Sequence, residues 1–201
     1  DGEILGETKP GYLNEEGAKS KSKTETFVAI KAEIANWRWS GTPFYIRTGK
    51  RMAGKATNIV IHFKSDAHFI FDQDQKSSTG NSLIISLHPT EGISLQVLTK
   101  RHGVNEGMRL RSDPMSLDFI KSQKLLKIPS GYQRLLLDIL LGNQSLFLCK
   151  EEIELAWEWC DNAYKVWQKS LQPLCSYPVG SNGPNESKDL LQQNGHNWHD
   201  E

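Results

Sequence analysis

Alternating apolar residues fill the first half of this chain and helix-spaced ones the second, and that order limits the fold more than any other feature. Val28, Ile30, Ala32 and Ile34 alternate along one stretch. A turn at Ser40 to Pro43 separates them from Phe44 to Thr48, and Thr57 to Phe63 follows, with Ile59, Ile61 and Phe63 on one side and Val60 and His62 on the other. After a polar loop through Ser77, Ser78 and Gly80, the pattern returns at Leu83, Ile85 and Leu87, and again at Ile93, Leu95 and Val97. Beyond these, Tyr132, Leu135, Leu136, Ile139 and Leu140 recur at helical spacing, as do Ile153, Trp157, Cys160, Tyr164 and Trp167. The second helix opens on Lys150, Glu151 and Glu152, whose carboxylates suit the positive end of its dipole, and a short helix from Glu186 to Gln193 stops at Gly195. Strands followed by helices, without βαβ alternation, predict the α+β class: a large, mostly antiparallel sheet with helices packed on one face. Residues 1–23 are rich in Gly, Lys, Glu and Ser and lack periodicity, so they read as an extended lead-in to a domain spanning 24–201.

Chemistry concentrates between two of the strands. Trp37 to Lys64 reads WRWSGTPFYIRTGKRMAGKATNIVIHFK and presents Lys50 and Lys55 from a turn bearing Gly49 and Gly54. Glycines there remove side-chain bulk, so a multiply charged oxyanion can approach both backbone and ammonium groups. The same residues nearly spell a nucleotide P-loop, but Ala56 stands where a hydroxyl should hold magnesium, and the following residues alternate as a strand instead of opening a helix. An NTPase is excluded. A phosphate-facing edge and a solvated hairpin loop both remain open on spacing alone. Trp37 and Trp39, two apart on a strand, read as packing residues more readily than as a platform for a ring.

Composition narrows the partners. With 24 basic against 24 acidic residues the chain carries no net charge, which gives no reason to expect nucleic acid or an anionic membrane as partner. No apolar run approaches the ~20 residues that span a bilayer. Cys149, Cys160 and Cys175 make an odd, unpaired set, read as reduced thiols, and the near pair His196 and His199 falls short of a zinc ligand set, so no metal is predicted.

Three segments resemble one family. TETFVAIKAEIANWRWSGTPFYIRTGK (24–50), GYQRLLLDILLGNQSLFLCKEEIELAWEW (131–159) and GSNGP (180–184) are similar, in the same order, to segments of glucose-6-phosphate dehydrogenases. The Gly-rich dinucleotide turn and the Asp-His-Tyr context of the family's catalytic region are absent here, so the resemblance implies a C-terminal domain lacking the N-terminal dinucleotide-binding domain. It implies no catalytic residue in this chain, inactivity in isolation, and NADP bound mainly by the other domain. Lys50 falls at the glucose 6-phosphate position and Lys55 where the family carries Lys or Arg, near that phosphate or the extra phosphate of NADP. Arg47 and His88 are possible further contacts. The resemblance also implies a homodimer or tetramer formed through the sheet, and the reduced thiols point to the cytoplasm. Ser86 and His88 depart from the Arg and Gln usual at that strand end, and Ser86 cannot reproduce an Arg contact, which puts a second, structural NADP site in doubt; Asn182 stands where the family's turn commonly carries Trp. A non-catalytic assembly or phosphosugar-sensing module is the other reading.

Overall fold

The computed structural model describes residues 2–4, 6–19, 22–64, 80–100, 110–118, 131–170 and 174–199. They divide into two units, Asp1–Gln123 with Leu174–Glu201, and Lys124–Pro173. The class is α+β, and every strand pair is antiparallel.

In the first unit the lead-in folds back as a short hairpin of β1 (Gly2–Ile4) and β2 (Glu7–Lys9). A two-stranded ribbon follows, β3 (Phe27–Ala32) against β4 (Phe44–Gly49), in register from Phe27 opposite Gly49 to Ala32 opposite Phe44. Four strands then form a meander in chain order: β5 (Thr57–His62), β6 (Ser82–His88), β7 (Gly92–Lys100) and β8 (Leu110–Asp118). The alternation of the sequence marked β3 to β7. It did not mark β8, whose Pro114 interrupts the strand pattern; among the described strands β8 lies at the edge, where a missing N–H costs no ladder bond on the open side. The polar loop predicted at Ser77 and Ser78 lies outside the described residues.

Register sorts the meander into two faces. One carries two apolar rows, Ile61–Leu83–Leu95–Met115 and Ile59–Ile85–Ile93–Leu117, each running across all four strands. Its outer members are exposed, Met115 at 65% and Leu117 at 54%. The other face sets His62, Ser82, Gln96 and Pro114 in one row and Val60, Ile84, Ser94 and Ser116 in the next. Ser82 and Ile84 are buried there, and the Ser82 hydroxyl donates to Gln96 Oε1 at 3.2 Å.

The two tryptophans correct the sequence reading. β3 ends at Ala32, and Trp37 and Trp39 sit in the following turn, where the Trp39 N–H donates to Asn36 Oδ1 at 2.9 Å. This side-chain acceptor offers the backbone a turn in place of the strand ladder. Trp37 is 92% exposed, while Trp39 meets Phe44 edge-on at 5.4 Å.

The first unit closes with α3 (Glu186–Gln192), whose Ser187 and Leu191 are buried. The second unit holds α1 (Gly131–Leu141) and α2 (Lys150–Lys169). Gly142, at φ 69°, ends α1: its N–H reaches Ile139 O, and Asn143 N–H reaches Asp138 O. At the start of α2 the Glu152 carboxylate accepts the Cys149 N–H at 2.9 Å, which holds the carboxyl below its ordinary range. Among the described residues no helix is long and apolar enough to cross a membrane.

Candidate functional site

The lysine loop begins where the β3–β4 ribbon runs out. One residue past the last register pair, the Lys50 N–H still donates to Thr26 O at 2.8 Å, so the ribbon's hydrogen bonding fixes the lysine backbone while its side chain stands exposed. Arg51 then takes φ 51°, a left-handed conformation unusual for a residue with a Cβ. Such a turn persists where its surroundings over-determine it, and here they do. The Arg51 guanidinium pairs with Glu15 and donates to Pro10 O at 3.0 Å. Its carbonyl accepts the Gly180 N–H at 2.9 Å, and two residues on, the Ala53 N–H donates to Ser181 O at 3.0 Å.

Tyr177 completes this attachment. Its hydroxyl lies 2.8 Å from Lys50 O and 2.9 Å from Thr26 O, with Thr26 Oγ1 at 3.3 Å. A phenol has one proton to give, so the two carbonyls share it. Beneath, the Phe27 ring tilts against Tyr177 at 5.5 Å and fills a slot that two glycines leave open. A Cβ on Gly49 would lie 2.7 Å from Phe27 Cδ2, and one on Gly183, at φ 100°, only 2.3 Å from Phe27 Cε2. Gly49 is therefore glycine because a phenyl ring and the Met52 sulfur occupy its side-chain space, which corrects the reading that it clears room for an oxyanion. Gly54 does face open space.

Lys55 lies at the far end of the same loop, exposed, just before β5. His88 ends β6 opposite Thr57, and its Nδ1 sits 3.1 Å from Lys55 O. Since a carbonyl only accepts, the contact calls for the proton on Nδ1. The structure thus brings His88 to the backbone of Lys55. Among the described residues neither Lys50 nor Lys55 pairs with a carboxylate, whereas Arg51 between them does. The loop so retains two uncompensated ammonium charges, which is the chemistry of anion capture. A β-strand follows it, not the helix N-terminus a nucleotide P-loop requires.

Arg47 is engaged elsewhere. Its Nη2 donates to His199 O at 3.0 Å, and its guanidinium lies 4.8 Å from the Trp198 ring centroid. Trp198 in turn donates from Nε1 to Ser187 O at 2.8 Å and meets Tyr45 edge-on at 6.4 Å. His62 sits near this tail. Burial, with the neighbouring His196 and His199 as lesser causes, pushes its pKa below the ordinary 6.5. Among the described residues no three or more His, Cys, Asp or Glu side chains converge as a metal site would require.

Glu15 and Tyr177 were not singled out in the sequence, and Ser181 entered only as part of GSNGP. The one signal that pointed toward them was the glycine-serine turn at 180–184, whose partner in space its spacing does not reveal.

The family model for the glucose-6-phosphate dehydrogenase C-terminal domain matches residues 1–199. A glucose-6-phosphate 1-dehydrogenase from Rhizobium meliloti (strain 1021) is 46% identical over 191 residues, covering 94% of this chain and 38% of the relative. One from Dickeya dadantii (strain 3937) is 39% identical over 199 residues, covering 99% of this chain and 40% of the relative. Among solved structures, a glucose-6-phosphate dehydrogenase in complex with its substrate glucose-6-phosphate superposes with a TM-score of 0.84 at 29% identity, over 99% of this chain and 40% of that one. The glucose-6-phosphate 1-dehydrogenase from Mycobacterium avium gives 0.73 at 27% identity, over 95% and 38%. The chain thus spans about two fifths of the length of these relatives.

Proposed function

The chain belongs to the glucose-6-phosphate dehydrogenase family, matching its C-terminal domain, and on that premise we propose that it is the substrate-binding and dimerisation part of an NADP-dependent glucose-6-phosphate 1-dehydrogenase. In that reaction hydride leaves C1 of glucose 6-phosphate for NADP, giving 6-phosphogluconolactone. The part played here is capture and orientation. The observation that carries this reading is the lysine loop, with Lys50 and Lys55 exposed and uncompensated on a backbone fixed from both ends of the sequence. An ammonium is a compact point charge and suits a phosphate dianion, and anchoring that end of the sugar lowers the entropic cost of presenting C1 to the nicotinamide. Of the two, Lys50 has both its backbone N–H and its carbonyl hydrogen-bonded. Lys55, with His88 against its carbonyl, takes the same phosphate or the extra phosphate of NADP.

Beyond that one phosphate contact, the described residues do not fit the pyrophosphate of NADP. No described strand runs directly into a helix whose first amides would cradle a pyrophosphate, so the dinucleotide is held mainly by another domain of the full-length protein. The apolar rows of the meander support self-association into a dimer or tetramer, since a broad exposed apolar face marks a contact surface. A cytoplasmic location follows from the same reading.

Lys50→Gln in the full-length protein tests the assignment. Losing one charge-assisted phosphate contact raises KM for glucose 6-phosphate roughly 10- to 150-fold. An unchanged KM would remove the substrate role and leave a non-catalytic assembly module.

A further inference from the structure

We propose that Tyr177 is a positioning residue for the phosphate-binding lysine, acting from the C-terminal turn through the backbone of Lys50; the proposal rests on the reading of Lys50 given above. Lys50 stands one residue beyond the β3–β4 register, so Thr26 fixes its N–H while its carbonyl has no partner within the ribbon. The next residue, Arg51, holds a left-handed φ. A left-handed residue at the end of a ladder keeps its conformation only where its surroundings over-determine it. The segment from Tyr177 to Ser181 does this at three successive points: the Tyr177 hydroxyl on Lys50 O, the Gly180 N–H on Arg51 O, and Ser181 O accepting the Ala53 N–H.

Lysine has four rotatable side-chain bonds and no planar head to define its direction, so the aim of its ammonium depends on how firmly its Cα–Cβ vector is set. Tyr177 contributes to that setting from 127 positions away in sequence, and its ring is in turn seated on Phe27. It touches no reacting atom. Its effect falls on binding of the phosphate end, where ground state and transition state are held alike.

The test is a double-mutant cycle of Tyr177→Phe and Lys50→Gln in the full-length protein, read as KM for glucose 6-phosphate and kcat separately. Tyr177→Phe keeps the ring on Phe27 and removes only the hydroxyl. The expected result is a KM raised roughly three- to tenfold with kcat within about twofold of the parent, the worth of one hydrogen bond. In the double variant KM should match that of Lys50→Gln alone, because nothing remains for the hydroxyl to aim. If Lys50→Gln leaves KM unchanged, the lysine assignment itself falls. If Lys50→Gln raises KM and Tyr177→Phe does not, the assignment stands and this proposal is overturned. It is overturned equally if the two effects multiply, or if Tyr177→Phe lowers kcat and Tm together with no selective change in KM. Amide exchange on the unaltered protein decides the matter should Tyr177→Phe not fold: adding glucose 6-phosphate should slow exchange at residues 50–53 and 179–181 together. Slowing confined to the first segment contradicts the coupling.

Discussion

Replacing Gly183 with alanine tests whether the Phe27 ring really locks the C-terminal turn to the lysine loop. Two separate costs apply. The backbone at φ 100° lies where an L-residue is strained, worth about 1–3 kcal/mol. The new methyl would also lie 2.3 Å from Phe27 Cε2 and 2.6 Å from Cζ, and the ring has little room to retreat, with Tyr177 against it at 5.5 Å and the Gly49 backbone beside Cδ2. Forcing a packed ring aside adds about another 1–3 kcal/mol. The sum, roughly 2–6 kcal/mol, lowers Tm by on the order of 5–20 °C in a chain of this size. Two controls separate the terms. Gly54→Ala meets nothing within 4 Å and has no positive φ, so it should stay within about 0.5 kcal/mol of the parent. Gly195→Ala keeps the conformational cost alone, at φ 71° with nothing within 4 Å, and should lose about 1–2 kcal/mol. Urea and thermal unfolding of the three variants give the ranking Gly183, Gly195, Gly54. A Gly183→Ala protein no less stable than Gly195→Ala would show that the ring does not fill the slot.

The tail offers two further tests. Trp198→Phe keeps an aromatic face for Arg47 but deletes the Nε1–H that satisfies the Ser187 carbonyl, on a residue 5% exposed, so unfolding should become easier by about 1–3 kcal/mol. Trp37→Phe, at a position 92% exposed, should change stability by less than about 0.5 kcal/mol in the same urea titration. His62 gives the stability a pH dependence whose sign is fixed. Its folded-state pKa is depressed, so as pH falls below 6.5 the unfolded chain takes up the proton first and stability declines across the window down to the folded value, while above 6.5 this group contributes no slope. The urea midpoint should therefore fall between pH 7.5 and 5.5, and His62→Gln should flatten that fall; an unaltered slope in the variant would assign the effect to other groups.

Much of the fold was legible because it is local. Alternation reports which face of a strand is apolar without reference to any partner, so Ile59, Ile61, Leu83 and Ile85 announced their strands and, through register, the apolar rows. β8 escaped because Pro114 is a warning against strands in general that an edge position lifts. Trp37 and Trp39 were misplaced because period-2 spacing cannot show that Asn36 has already turned the chain. Lys50 and Lys55 were visible as charges in a glycine-bearing loop, and the structure leaves both exposed.

What could not be read was the reason the loop holds its shape, because each contact that fixes it is long-range. Tyr177 reaches Thr26 across 151 positions and Lys50 across 127, Arg51 reaches back to Pro10 across 41, and no periodicity survives such separations. Gly49 shows the consequence most sharply. Beside a lysine it invites a functional reading, space for an anion, yet the space is taken by Phe27 and Met52. The same ring also excludes any side chain at Gly183, so one phenylalanine explains two glycines 134 positions apart, 49 to 183. A loop with few bonds of its own can then be rigid without being buried, since its backbone is fixed by the N-terminal lead-in on one side and the C-terminal turn on the other, and its two ammonium groups are left as the parts free to meet an anion.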